Sequence, residues 1–112
     1  MDAASAGFGN AAWLRDIFLS VHREHFVPAR VWWPSPRADG LHSLIDWAER
    51  PNAWLKAVYS TGAPLITQLD DGRVPPAGPA KGHFSSSISS SGVIIELLRH
   101  LAPRPGERVL EL

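Results

Sequence analysis

Pro105-Gly106-Glu107-Arg108-Val109-Leu110-Glu111-Leu112 closes the sequence. Pro-Gly is turn chemistry, and the Val-Leu-Glu-Leu run after it reads as the opening of a strand. Just upstream, Val93, Ile94, Leu97, Leu98 and Leu101 recur at helical spacing. The helix they predict starts near Gly92, with Ser90 or Ser91 available as its cap. It carries Arg99 and His100 near its C-terminal end, where positive charge is favourable, and ends before Pro103 and Pro105. Helix, Pro-Gly turn and apolar strand in that order normally feed a βα unit, so the expected fold class is α/β. A natural terminus usually trails off in polar residues. Ending inside an apolar strand, the chain reads as truncated, with 106–112 the start of a core that continues past Leu112.

Upstream of the Ser-rich run 85–91, residues 72–82 hold three Gly and three Pro in eleven positions. That composition predicts an exposed, mobile loop that folding does not need. Leu65 to Leu69 reads as a short strand, followed by Asp70-Asp71-Gly72 turn chemistry. Pro51 can open a helix carrying Ala53 to Val58. Residues 41–49 also read as helical, with Leu44, Ile45 and Ala48 inward. Val31, Trp32 and Trp33 form a short apolar patch closed by Pro34 and Pro36. A first helix spans about 11–21, capped by Asn10, with Trp13, Leu14, Ile17, Phe18 and Val21 as its apolar stripe. Residues 1–10 are expected to be flexible.

The chain has 112 residues, 45% of them hydrophobic, which argues against wholesale disorder. Eleven Lys and Arg balance eleven Asp and Glu. With no broad positive field, nonspecific nucleic-acid binding has little support. There is no Cys, hence no disulfide framework and no thiolate zinc site. No apolar run approaches the ~20 residues that span a bilayer, and no secretory signal is visible. The expected setting is the cytoplasm, with no membrane partner.

Candidate chemistry is sparse. His22 and His25 are three apart, but no third metal ligand accompanies them, and His-Arg-Glu-His is not the His-Glu-x-x-His pattern. No metal site is expected. The five Trp are not interleaved with a basic patch, so core packing explains most of them better than a stacking platform. The Ser-rich run has no Gly-x-Ser-x-Gly elbow and no assignable base. By composition it suits a linker, yet it abuts an amphipathic helix without a gap. Hydroxyls and backbone N–H groups at a helix N-terminus favour anions, so a carboxylate could be held there.

Three stretches together resemble the protein-L-isoaspartate O-methyltransferase family. Arg23-Glu24-His25-Phe26-Val27-Pro28 is similar to its early Pro-Arg-Glu-x-Phe-Val-Pro segment, with His22 where proline is usual. Ser87-Ile88-Ser89 resembles its Thr-Ile-Ser signature, although Ser90-Ser91-Gly92 replaces the usual Gln-Pro-Tyr. Pro105 to Leu112 resembles the lead-in to its glycine-rich cofactor loop. Tyr59-Ser60 and Pro64-Leu65-Ile66-Thr67-Gln68 further resemble a branch, some of whose members modify ribosomal peptides.

The resemblance implies a helical N-terminal cap over 11–105, on the substrate side, plus the first strand of a Rossmann-like methyltransferase over 106–112. It implies methyl transfer from S-adenosylmethionine to a side-chain carboxylate of an aspartyl or isoaspartyl residue in a protein or peptide. Ser87, Ile88 and Ser89 would shape the acceptor site, with Ser89 the first choice for a catalytic role. The cofactor-binding residues would lie after Leu112, so the 112-residue piece alone is expected to be inactive. A non-catalytic peptide-binding module and an inactive gene fragment are the alternatives.

Overall fold

A computed structural model describes residues 12–112. Its elements are α1 (Ala12–Ser20), a 3-10 turn (Arg23–Phe26), β1 (Arg30–Pro36), β2 (His42–Asp46), α2 (Pro51–Val58), β3 (Leu65–Leu69), a second 3-10 turn (Asp70–Gly72), β4 (Phe84–Ile88) and α3 (Ser91–Leu101). The four strands form one sheet in the order β2-β1-β3-β4. All three strand pairs are antiparallel. The chain is thus a small mixed α/β domain, and no parallel pair occurs among the described residues. The Asn10 cap and the 1–10 segment lie outside those residues.

The expected mainly helical cap is corrected by this sheet, and the largest change falls on 41–49. Residues 42–46 form a strand, paired Val31↔Ile45 and Trp32↔Leu44 with β1. The deciding signal is Asp39-Gly40, a dipeptide that favours hairpins. Gly40 takes φ +80, its N–H donates to the Arg37 carbonyl at 2.8 Å, and Asp39 accepts the Leu41 N–H at 3.0 Å. Once the turn sets the register, Leu44 and Ile45 serve opposite sheet faces. Pro34 and Pro36 cost little in β1, because its pairing with β3 is confined to Trp32↔Ile66.

Each face of the sheet has its own core. On one, Val31 and Leu65 pack with Val27, Trp54, Ala57 and Val58, so α2 covers it. Pro51 opens α2 as expected, since proline lacks only an N–H that the first turn leaves unpaired anyway. On the other face, Trp32, Ile66 and Leu69 meet Leu44, Val74 and Ala80. Trp32 and Leu65 are at most 1% exposed, and each such burial contributes roughly 1.5–3 kcal/mol.

The cover on that second face is the glycine- and proline-rich segment. The Trp32 indole donates to the Gly78 carbonyl at 3.1 Å, and Arg30 donates to the Pro76 carbonyl at 3.1 Å. Ala80 exchanges both backbone hydrogen bonds with His42, at 2.7 and 3.1 Å. The expected loop is exposed along most of its length, yet 74–80 lies across the sheet and not away from it. Gly and Pro permit the tight path, and Val74 and Ala80 anchor it.

Helix α3 begins where expected, with Ser90 as N-cap accepting the Val93 N–H at 3.4 Å. Its seating differs. Ile95 is its buried apolar residue, packed with Leu14, Phe18 and Leu98. Val93, Leu97 and Leu101, expected inward, are exposed. The apolar arc from Val93 round to Ile95 is wider than one neighbour can cover, and α1 takes the Ile95 side. Residues 108–112 form no strand and leave Val109, Leu110 and Leu112 exposed. A strand needs a partner for its backbone groups, and among the described residues none pairs with them.

Candidate functional site

The last residues of β4 lead directly into α3, and exposure alternates along them. Ser85, Ser87 and Ser89 are exposed, while Ser86 and Ile88 are half-buried. This is the two-residue period of a strand, not the pattern of a linker. β4 pairs with β3 through Leu65↔Ile88 and Ile66↔Ser87. Two of the serines are structural. Thr67 donates to the Ser86 hydroxyl at 2.8 Å, and the Asp71 N–H donates to the Ser85 hydroxyl at 2.8 Å.

The three residues singled out from sequence divide by role. Ile88 packs against the core that contains Leu65, so it positions the strand. Ser87 and Ser89 present hydroxyls at the surface that make no hydrogen bond among the described residues. Next in line, Ser90 and Ser91 are 3% and 1% exposed. Ser90 caps the helix, whereas the Ser91 hydroxyl is buried without a hydrogen-bond partner among the described residues.

Arg23 holds this junction in place. Its Nε donates to the Val58 carbonyl at 2.6 Å and its Nη2 to the Ser89 carbonyl at 2.7 Å. One guanidinium therefore ties the first 3-10 turn, the end of α2 and the end of β4 together. Burial lowers the Arg23 pKa from its ordinary value by desolvation, and two charge-assisted hydrogen bonds offset that cost. Sequence reading placed Arg23 in a motif but could not name its partner, because 66 residues separate it from Ser89.

Gly92 is the other feature that sequence reading missed in physical terms. A Cβ at this position would stand 2.5 Å from the Thr61 carbonyl oxygen. The backbone of 59–61 thus runs directly against the first turn of α3. That contact joins the junction to a cleft of about 520 Å³ lined by Trp33, Ile45, Lys56, Tyr59, Ser60 and Thr61. The Tyr59 hydroxyl is buried without a hydrogen-bond partner among the described residues.

Chemically, the junction offers free hydroxyl donors at Ser87 and Ser89, upstream of an 11-residue helix whose N-terminus is its positive end. That set suits a carboxylate. The described residues are not those the resemblance gives to S-adenosylmethionine, whose loop would follow Leu112; Gly106, at φ +83, turns the chain into an exposed stretch. Elsewhere, His22 and His25 face each other with ring centroids 5.5 Å apart, and no group of three metal-ligating side chains occurs among the described residues. No helix among them is long and apolar enough to cross a membrane. Trp32 and Trp54 are buried and Trp33 is half-buried, in keeping with core packing.

Compared with known proteins, the chain matches no family model, no curated protein and no solved structure.

Proposed function

We propose that this chain is the acceptor-side part of a Rossmann-like, S-adenosylmethionine-dependent methyltransferase acting on a side-chain carboxylate of an aspartyl or isoaspartyl residue. The observation that carries the reading is the Arg23–Ser89 hydrogen bond. Two separate stretches that resemble the isoaspartyl methyltransferase family, 23–28 and 87–89, meet at that bond.

In this reading the protein contributes placement. A carboxylate is already a competent nucleophile, so no general base is required. What the chain must do is hold one oxygen in line for attack. Ser87 and Ser89 donate hydrogen bonds to the acceptor carboxylate, and the positive end of α3 faces its charge. Arg23 fixes the Ser89 backbone, so that the hydroxyl is pre-positioned. S-adenosylmethionine, when bound, supplies the methyl group.

The test is calorimetric titration of the 112-residue chain with an isoaspartyl hexapeptide and with its asparaginyl counterpart. The expected result is saturable binding of the first and at least about tenfold weaker binding of the second, since one lost charge-assisted bond is worth ~1.4 kcal/mol or more. Equal affinity for both peptides would overturn the carboxylate reading. Titration with S-adenosylmethionine itself should show no micromolar site in this chain, and finding one would place the cofactor within these residues.

A further inference from the structure

The 3-10 turn after β3 puts three consecutive residues in the left-handed region. Asp70, Asp71 and Gly72 take φ +49, +57 and +83. Glycine adopts this conformation freely, whereas an L side chain brings its Cβ close to the following carbonyl oxygen. Asp71, with ψ +33, is therefore held in a strained conformation. Two hydrogen bonds keep the turn in place. Asp70 Oδ1 accepts the His83 N–H at 2.8 Å, and the Ser85 hydroxyl accepts the Asp71 N–H at 2.8 Å.

The sequence holds two Asp-Gly pairs, Asp39-Gly40 and Asp71-Gly72, and the fold treats them differently. At the first, both carboxylate oxygens are tied, one to Arg37 at 2.7 Å and the other to the Leu41 N–H at 3.0 Å. The Gly40 N–H is tied as well, to the Arg37 carbonyl at 2.8 Å. At the second, neither the Asp71 carboxylate nor the Gly72 N–H makes a hydrogen bond or ion pair among the described residues. Asp71 and Gly72 are both exposed. A carboxyl carbon and the amide nitrogen of the next residue thus sit side by side, each unengaged, and Gly72 has no side chain to crowd its nitrogen.

We propose that Asp71-Gly72 is a site of spontaneous isoaspartate formation. The Gly72 nitrogen attacks Cγ of the protonated Asp71 carboxyl. A nitrogen–carbon bond forms and a carbon–oxygen bond breaks. The departing hydroxyl takes the amide proton and leaves as water, giving a cyclic succinimide. Water then opens the ring. Addition at the side-chain carbonyl restores aspartate, whereas addition at the main-chain carbonyl leaves the chain running through the side chain. That product has an extra backbone carbon between β3 and β4 and frees the turn from its left-handed dihedral. The site rests on this turn alone and is independent of the carboxylate reading of Ser87 and Ser89.

The test is incubation of the 112-residue chain at mildly acidic pH, where more of an exposed carboxyl is protonated, and below its unfolding midpoint. Trypsin then places Asp39 and Asp71 on separate peptides, and electron-transfer fragmentation tells isoaspartate from aspartate at each position. The expected result is isoaspartate at Asp71 accumulating at least about tenfold faster than at Asp39, whose pair must first break its hydrogen bonds. In concentrated urea, where both turns are lost, the two sites should react at similar rates. Asp71→Glu should abolish the product on its peptide, and persistence there would move the reaction to Asp70 and overturn the assignment. Equal or slower reaction at Asp71 than at Asp39 in the folded chain would overturn the site. So would a rate at Asp71 that rises about tenfold or more in urea, since the fold would then protect this turn.

Discussion

Arg23 and Gly92 carry more of the site than the serines they support. Replacing Arg23 with Met keeps much of the aliphatic stem but deletes the donors to Val58 and Ser89. Hydrogen bonds from charged donors contribute about 1.5–3 kcal/mol each, less the desolvation that a neutral side chain avoids. Arg23→Met should therefore lower stability by roughly 2 kcal/mol in urea unfolding. The loss should be the same at pH 6 and pH 8, because a guanidinium is protonated in both the folded and unfolded states across that range. Gly92→Ala pits helix propensity, which favours Ala by up to about 1 kcal/mol, against the approach of the Thr61 carbonyl. The contact is with backbone, which cannot swing aside, so the clash wins. A net loss of roughly 1–3 kcal/mol is expected, measured in the same urea experiment; a neutral or stabilising result would mean that 59–61 is free to shift.

Among the elements, the 72–82 stretch shows most clearly how composition misleads. Gly and Pro mark a chain that does not form helix or strand, but they do not say whether it floats or packs. Here Trp32 decides: a large indole on the second sheet face needs a cover, and Gly78 gives its N–H an acceptor. Replacing 74–80 with a short Gly-Ser turn should red-shift tryptophan emission and lower the urea midpoint markedly. An unchanged midpoint would return the segment to the status of a dispensable loop. Other elements were legible because a local rule agreed with the tertiary fold: Leu65–Leu69 is a strand, Pro51 opens α2, and Ser90 caps α3. Residues 42–46 form a strand although Leu44, Ile45 and Ala48 also satisfy a helical spacing; the Asp39-Gly40 turn is what separates the two. For the site, Ser87 and Ser89 were singled out from sequence, but their strand was not: the run 85–91 suits a linker by composition, and its alternation belongs to β4 of the fold. The Arg23 tie and the Thr61 contact were not legible, because each depends on how distant segments are folded together.

At the scale of the whole molecule, two apolar surfaces stand out. Val93, Leu97 and Leu101 are 50–62% exposed on α3, and Leu110 and Leu112 are exposed on the tail. Leu101, Val109 and Leu110 line one shallow concavity, so the two surfaces adjoin. Contiguous apolar surface of this kind promotes association. Sedimentation of the purified chain should show concentration-dependent self-association, reduced in a Leu97→Lys, Leu110→Lys variant. A wild-type chain that stays monomeric at high concentration would contradict this.

The proposed function seats an acceptor carboxylate at the β4–α3 junction. Backbone amide shifts recorded while an isoaspartyl hexapeptide is titrated into the 112-residue chain test that claim at its location. Saturable shifts are expected at Ser87, Ser89 and Gly92, absent with the asparaginyl peptide and lost in Ser89→Ala. Shifts confined to other parts of the chain, or the same shifts with the asparaginyl peptide, would contradict it.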